Sequence, residues 1–492
     1  MRRSVLRPLI FLVSICLLFT ATSGVAFAQD GDMHNGSMMA DDGVIIAEGL
    51  NGPQGVLVDE DGNIWVIDSG LGGDDEVPFY NTQAMDEIVA MGGESAQVTV
   101  ISPDGQEVYA NLPSLLMGME ALGGGRLANM DGVLYATVGQ GAGDPEWEGL
   151  PNFGGVVAID EGGVFDFTST WDFERENNPD GTSLFDSHPY GLTAGPDGFL
   201  YVADSGGNDV VKIDPATGEV SLFAVLEPLR GVFPSDTRGG EMLADPVPTA
   251  IVFDDDGNAY VSYLSGAPFI PGTSGIDLIT PDGEVSQFAT GYTMLTDLRW
   301  GPDGELYGVQ FGMFTEEGPV PDAGSVVHIH GGDEFDVVIE ELSFPTSLDF
   351  NDAGDAFVSI NGLGAPGSGA VAMFAGLAAE EPGVAPVPES AFGPPIPQET
   401  GYLVEEISDG LYWITEGAYQ MMFLTTGEGV IVVDAPPSIG ENILNAIADV
   451  TDEPITHVIY SHAHADHISG AGIYPEGATI IAHEDAANAL AD

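Results

Sequence analysis

The chain is nearly without cysteine. Its one cysteine, Cys16, lies in a short apolar run at residues 9–19, behind Arg2, Arg3 and Arg7 and ahead of Ala26-Phe27-Ala28. A basic start, an apolar stretch and a small-x-small end form a secretory signal over residues 1–28, which leaves Gln29 first in the mature chain. The Arg2-Arg3-Ser4-Val5-Leu6 run also fits a twin-arginine signal weakly, but the strongly apolar stretch favours ordinary export. A lipid anchor on Cys16 would want a small residue before it, and Ile15 is not small. With the signal gone no disulfide can form, so stability has to come from burial even in an oxidising compartment. Long apolar runs are also missing, because residues 9–19 are too few for an ordinary membrane span. The expected location is secreted or periplasmic.

Positive charge is the other scarcity. Nine Lys and Arg face 78 Asp and Glu, a formal net charge of −69. Without the three arginines of the signal, Arg126, Arg175, Lys212, Arg230, Arg238 and Arg299 remain, and the net charge is −72. Such a surface repels nucleic acid and anionic membranes, which leaves a small-molecule substrate as the expected partner. The acids are spread along the chain rather than blocked, so they read as a solvated coat and not as a cation store.

What the chain has in quantity is a repeated turn and strand. Asp61-Gly62-Asn63-Ile64-Trp65-Val66 returns as Asp131-Gly132-Val133-Leu134-Tyr135-Ala136 and Asp197-Gly198-Phe199-Leu200-Tyr201-Val202. Asp256-Gly257-Asn258-Ala259-Tyr260-Val261 and Asp303-Gly304-Glu305-Leu306-Tyr307-Gly308 follow, then the degraded copy Ala353-Gly354-Asp355-Ala356-Phe357-Val358. The copies are 70, 66, 59, 47 and 50 residues apart. Asp-Gly supplies the positive φ of a tight hairpin, and the aromatic and β-branched residues after it suit a buried strand. Each copy has room for four strands, as in 191–194, 200–202, 210–213 and 220–223 of the third. Six such units predict an all-β six-bladed propeller over residues 43–377. The last unit has a third strand at 370–374 but no fourth. The first unit is preceded by an orphan strand, Val44-Ile45-Ile46-Ala47-Glu48, which is expected to complete blade six and close the ring. Residues 29–42 are expected to be flexible. Pro382, Pro386, Pro388, Pro394, Pro395 and Pro397 mark residues 378–400 as a semi-extended linker.

Two stretches of the repeats, Gly49-Leu50-Asn51-Gly52-Pro53-Gln54-Gly55 and Ser187-His188-Pro189-Tyr190-Gly191-Leu192, together with the Gly-Pro-Asp-Gly and Asp-Ser-Gly turns, resemble the ScyD/ScyE-type propeller family. That resemblance implies fold and export more than activity.

From Gly401 the texture changes. Strands are expected at 411–414, 421–424, 429–434, 456–461 and 479–482, with helices at 439–450 and 484–490. This alternation suggests an α/β layer. At the end of the 456–461 strand stands His462-Ala463-His464-Ala465-Asp466-His467. Three imidazoles and a carboxylate in six residues are zinc-ligand types, and a loop after a buried strand can turn them into one pocket. Gly470 and Gly472 fit a site loop. The bland alternative is a solvated polar loop.

The motif and its context resemble the metallo-β-lactamase superfamily, over residues 401–492. The resemblance implies an αββα fold, His462 and His464 on one zinc ion, and Asp466 and His467 on a second. Asp466 is also the acid it implies for catalysis. Asp434 matches an acid that braces the metal loop rather than binding metal. Water activated by the metal would be the nucleophile. In that family a third histidine, a bridging acid and a last histidine lie well downstream, whereas this sequence ends 25 residues after His467. The domain is therefore expected to be an incomplete first part, from a longer reading frame rather than a degenerate relative, and hydrolase activity of the 492-residue chain is expected to be negligible. His483, just past a strand, is expected to be structural or exposed.

Three other features of the sequence bear on ligand binding. Asp59-Glu60-Asp61-Gly62-Asn63 and Asp254-Asp255-Asp256-Gly257-Asn258 invite a calcium reading, but the glycine is misplaced for a helix-loop-helix site and turn chemistry accounts for them. His188, at the inner end of blade three, could line a channel, with a structural role the plainer choice. His328-Ile329-His330 puts two imidazoles on one strand face, with no third ligand visible in the sequence. The leading expectation is a secreted zinc-dependent hydrolase with a propeller as binding or docking module. Its rivals are a non-enzymatic exported propeller and a lactonase-type enzyme acting from the propeller channel.

Overall fold

The structure, a computed structural model, describes residues 38–489 apart from 83–84, 104, 119, 148–149, 161–162, 316–317, 380–395, 398 and 418. The expected signal, residues 29–37 and most of the expected linker lie outside the described residues. The chain divides into two compact units, Met1–Glu380 and Glu381–Asp492.

The first unit is a propeller of six antiparallel sheets. Their innermost strands are Pro53–Val58, Gly124–Met130, Pro189–Ala194, Pro248–Phe253, Leu295–Trp300 and Ser347–Phe350. Each lies against the innermost strand of the next sheet, and the sixth lies against the first. The ring closes through Val44–Leu50, which pairs antiparallel with Gly369–Phe374 as the fourth strand of the last blade. Met38–Met39, inside the segment expected to be flexible, adds a short parallel strand beside Glu334–Leu342.

The repeated turn explains the repeated strand. Gly62, Gly132, Gly198, Gly257, Gly304 and Gly354 all have φ of 80° or 81°. Only glycine adopts this without strain, so the hairpin is fixed at the same place in every blade. The acids before it are spent inside the turn. Asp59 accepts from the N–H groups of Asp61 and Asn63 and from the Trp65 indole. Asp254 does the same for Asp256, Asn258 and the Tyr260 hydroxyl. The apolar residues after each turn fill the space between neighbouring blades. Ile67, Val98, Leu127 and Val138 join blades one and two, and Val56, Val66, Phe357 and Val371 join six and one. No disulfide is needed, because every blade is sealed on both faces by its neighbours.

Most of the few bases are committed to this scaffold. Arg175 pairs with Asp172, Lys212 with Asp197, Arg238 with Asp180 and Asp245, and Arg299 with Asp297 and Asp349. Blade two also leads into a helix, Thr170–Asn177, whose start is capped by the Ser169 hydroxyl accepting from the Asp172 N–H.

The second unit holds one six-stranded sheet in the order Leu403–Ser408, Leu411–Thr415, Gln420–Thr425, Val430–Val433, Ile455–Ile459, Thr479–Ile481. The first four strands are antiparallel and the last two join in parallel. The helix Asn442–Val450 makes the crossover and buries Ile443, Ala446 and Ile447 on Phe423, Val430 and Val432. It begins three residues later than the sequence predicts, because Gly440 at φ 56° cannot continue a right-handed helix. Among the described residues, no helix is long and apolar enough to cross a membrane.

Candidate metal centre

The strand Val430–Val433 runs into Asp434, whose φ of 65° is left-handed. A non-glycine residue stays there only where its surroundings hold it. The Asp434 N–H donates to the Ile459 carbonyl at 2.8 Å. Its own carbonyl accepts from the Tyr474 hydroxyl at 2.6 Å. Its buried carboxylate accepts from the Ser461 N–H at 2.7 Å and the Ser461 hydroxyl at 2.6 Å. The loop returns over this corner: the Ala435 N–H donates to the His467 carbonyl, and the Gly470 N–H donates to the Ala435 carbonyl. A Cβ on Gly470 would lie 2.5 Å from that carbonyl oxygen, so glycine is required there, whereas Gly472 has open space around it.

This corner sets the tautomer of His462. The Ser461 hydroxyl has one hydrogen, and Asp434 takes it. The Ser461 oxygen, 2.8 Å from His462 Nδ1, therefore accepts from that nitrogen and leaves Nε2 with the free lone pair. His467, on the short helix Ala465–Ile468, brings Nδ1 to 3.4 Å from Asp434 Oδ2. That nitrogen is buried and makes no hydrogen bond. Buried polar atoms nearly always have a partner, so an orphan nitrogen here fits a site that takes a ligand. One donor atom from each of Asp434, His462 and His467 lies within 4.8 Å of the other two. Two imidazoles and a carboxylate are a donor set that suits zinc.

The other two motif residues stand beside this group. His464 is exposed and its ring centroid is 4.8 Å from that of His462. Asp466 is exposed and accepts from the Tyr419 hydroxyl at 3.0 Å. That hydrogen bond, helped by nearby His467 and His464, holds its carboxyl below the usual carboxylate range. The sequence pairs His462 with His464 and Asp466 with His467. The structure groups His462 and His467 with Asp434. Ser461, Tyr419 and Tyr474 were not foreseen. Ser461 abuts the motif, but Tyr419 is 47 residues from Asp466, and only the strand pairing brings it near.

The centre of the propeller is built differently. Arg126 leaves the blade-two strand Gly124–Met130 fully buried. Its terminal nitrogens donate to the carbonyls of Gln54 in blade one, Thr296 in blade five and Thr346 beside blade six, the last two at 2.6 and 2.8 Å. Nε lies 3.7 Å from Asp297, and the guanidinium lies 4.4 Å from the ring of Tyr190 in blade three. A fixed cation at the ring's centre repels a metal ion, which weighs against lactonase-type chemistry in the channel. His188 is half-buried, with its N–H on Asp204 and its ring edge-on to Tyr190. The expectation that His328 and His330 have no third ligand is corrected. Asp336, opposite His328 across the strand pair, brings its carboxylate within 4.8 Å of both imidazoles. Only the register of two strands reveals it.

The sequence model of the metallo-beta-lactamase superfamily matches residues 414–485, the segment that builds this corner. The second unit is a metallo-β-lactamase-type domain. No curated protein matches the chain. Solved structures similar to it include virginiamycin B lyase from Staphylococcus aureus, 14% identical over 67% of this chain and 97% of that one, with a TM-score of 0.37. A gluconolactonase from Xanthomonas campestris is 12% identical over 68% of this chain and 97% of that one, with a TM-score of 0.38. Within the metallo-β-lactamase-type domain, the matched segment runs from the strand Leu411–Thr415 to the helix Glu484–Ala489 and includes every donor named above.

Proposed function

We propose that the chain carries the metal-binding loop of an exported, zinc-dependent hydrolase of the metallo-β-lactamase superfamily, with the propeller as its substrate-binding or docking module. The observation that carries this reading is the buried, unpartnered Nδ1 of His467 beside the His462 imidazole and the Asp434 carboxylate. Asp434, His462 and His467 would hold one ion, and His464 and Asp466 would contribute to a second. A bound zinc ion supplies Lewis acidity to a water and to the oxygen of the bond being cleaved. The chain's own residues do the positioning. Asp434 fixes Ser461, and Ser461 fixes the His462 tautomer. Tyr419 orients the Asp466 carboxylate at the exposed edge of the loop. The substrate class is a small molecule with an ester, lactone, lactam, thioester or phosphodiester bond. Export rests on residues 1–28, and the repeats support a ScyD/ScyE-like propeller.

The test is zinc protection. Zinc added to the chelator-stripped chain should raise the unfolding temperature of the metallo-β-lactamase-type domain, and His467→Ala should abolish the rise. No rise in the unaltered chain would leave only the exported propeller. Turnover of a panel of those five bond types by the zinc-loaded chain is expected to stay near background, since the described donors offer a second ion only His464 and Asp466. Chelator-sensitive turnover that falls in His467→Ala would show that these donors suffice.

A further inference from the structure

We propose that the outer part of blade five carries a separate transition-metal site made by His328, His330 and Asp336, with Glu305 beside it. The strand Gly324–Gly331 buries Val327 and Ile329 against blade four. Alternation then turns His328 and His330 to the opposite face, the one on which Val326 and Tyr307 pack against blade six. Their ring centroids are 4.4 Å apart. The neighbouring strand Glu334–Leu342 places Asp336 directly across from His328. Asp336 Oδ2 is 2.9 Å from His330 Nε2. On the other side, Glu305 Oε2 is 3.3 Å from His328 Nε2, at the start of the strand Leu306–Gln310. Three adjacent strands thus bring two imidazoles between two carboxylates.

Each imidazole has its own carboxylate, yet the two rings pack against each other between them. A shared divalent ion would take both imidazoles and Asp336 as ligands. The donor atoms of His328, His330 and Asp336 already lie within 4.8 Å of one another, and nitrogen with carboxylate oxygen is a zinc-type set. Tyr307 stacks on His328 at 5.1 Å and donates its hydroxyl to Asp303 at 2.7 Å, which fixes the first ring from behind. The ion ties the third and fourth strands of the blade together at their solvent-facing ends and keeps a position open for water or a small ligand. This site is distinct from the histidine loop of the second unit and does not depend on it.

The experiment counts zinc on the full chain. The chelator-stripped protein is dialysed against zinc with excess calcium, so that the acidic coat is occupied by a cation imidazoles do not favour. The His328→Ala/His330→Ala variant should bind one equivalent less than the unaltered chain. The His462→Ala/His467→Ala variant should keep the blade-five equivalent, so the two sites are read separately. Asp336→Asn, which preserves volume, should weaken that equivalent about tenfold or more. Far-UV circular dichroism checks that each variant is folded. An unchanged zinc count in the blade-five double variant, or unchanged affinity in Asp336→Asn, overturns the site.

Discussion

The centre of the propeller and the histidine loop both gather charged side chains around a buried point, and they finish the job differently. At the propeller centre the Arg126 terminal nitrogens are consumed by carbonyls from three other blades. In the loop, Asp434 is satisfied by Ser461, but His467 Nδ1 is left buried with no hydrogen bond. A polar cluster that spends its donors on the chain holds the chain together. Each centre also keeps one buried nitrogen without a hydrogen bond, but Arg126 Nε belongs to a permanent cation that cannot ligate a metal, whereas His467 Nδ1 belongs to an imidazole set beside other zinc-type donors. The propeller centre is a structural pin, and the loop is the place proposed for ligand chemistry.

The strongest way to break that contrast is at the pin. Arg126→Met should destabilise the propeller by about 3–5 kcal/mol, because Asp297 and several carbonyls lose their partner. Urea unfolding followed by circular dichroism measures it. Zinc uptake by the histidine loop should be unaffected, and a pin that also controlled uptake would blur the distinction. In the loop the effect should reverse: Asp434→Asn should lower zinc affinity about 10–100-fold by calorimetry, with little change in propeller stability.

A third outcome concerns pH. Burial, reinforced by nearby Asp204, Asp180 and Asp186, pushes the Glu174 carboxyl up to about 8, and burial pushes Asp186 up to about 8 as well. Their folded values exceed their unfolded ones. The stabilisation is complete below the unfolded values near 4 and is lost as pH climbs towards 8. The propeller's melting temperature should therefore fall between pH 5.5 and 8. Glu174→Gln should flatten the slope by roughly 1 kcal/mol per pH unit. A flat profile in the unaltered chain would mean these acids are ionised when buried. The smallest effect is expected from Tyr419→Phe. It removes one exposed hydrogen bond to Asp466 and should change zinc affinity by no more than about threefold.

The same contrast marks how far the sequence could be read. The Asp-Gly turns and the strands after them are local, and each blade repeats them, so blade count and ring closure through Val44–Leu50 were legible. The His462–His467 motif was legible because its donors are adjacent in the chain. Arg126 stood out only as a rare base after three glycines, since its partners at Thr296 and Thr346 lie 170 and 220 residues away. Asp336 was hidden for a similar reason: its place opposite His328 depends on strand register, which no local pattern encodes. The helix Thr170–Asn177 had a readable signal in Ser169 three residues before Asp172.

Whether Asp434, His462 and His467 hold a metal ion can be seen in zinc-soaked crystals of the full chain, measured on both sides of the zinc absorption edge. An anomalous peak about 2.0–2.2 Å from one imidazole nitrogen of each histidine and from an Asp434 oxygen is the predicted result. A map with no peak in this loop, from crystals that show zinc elsewhere, would contradict it.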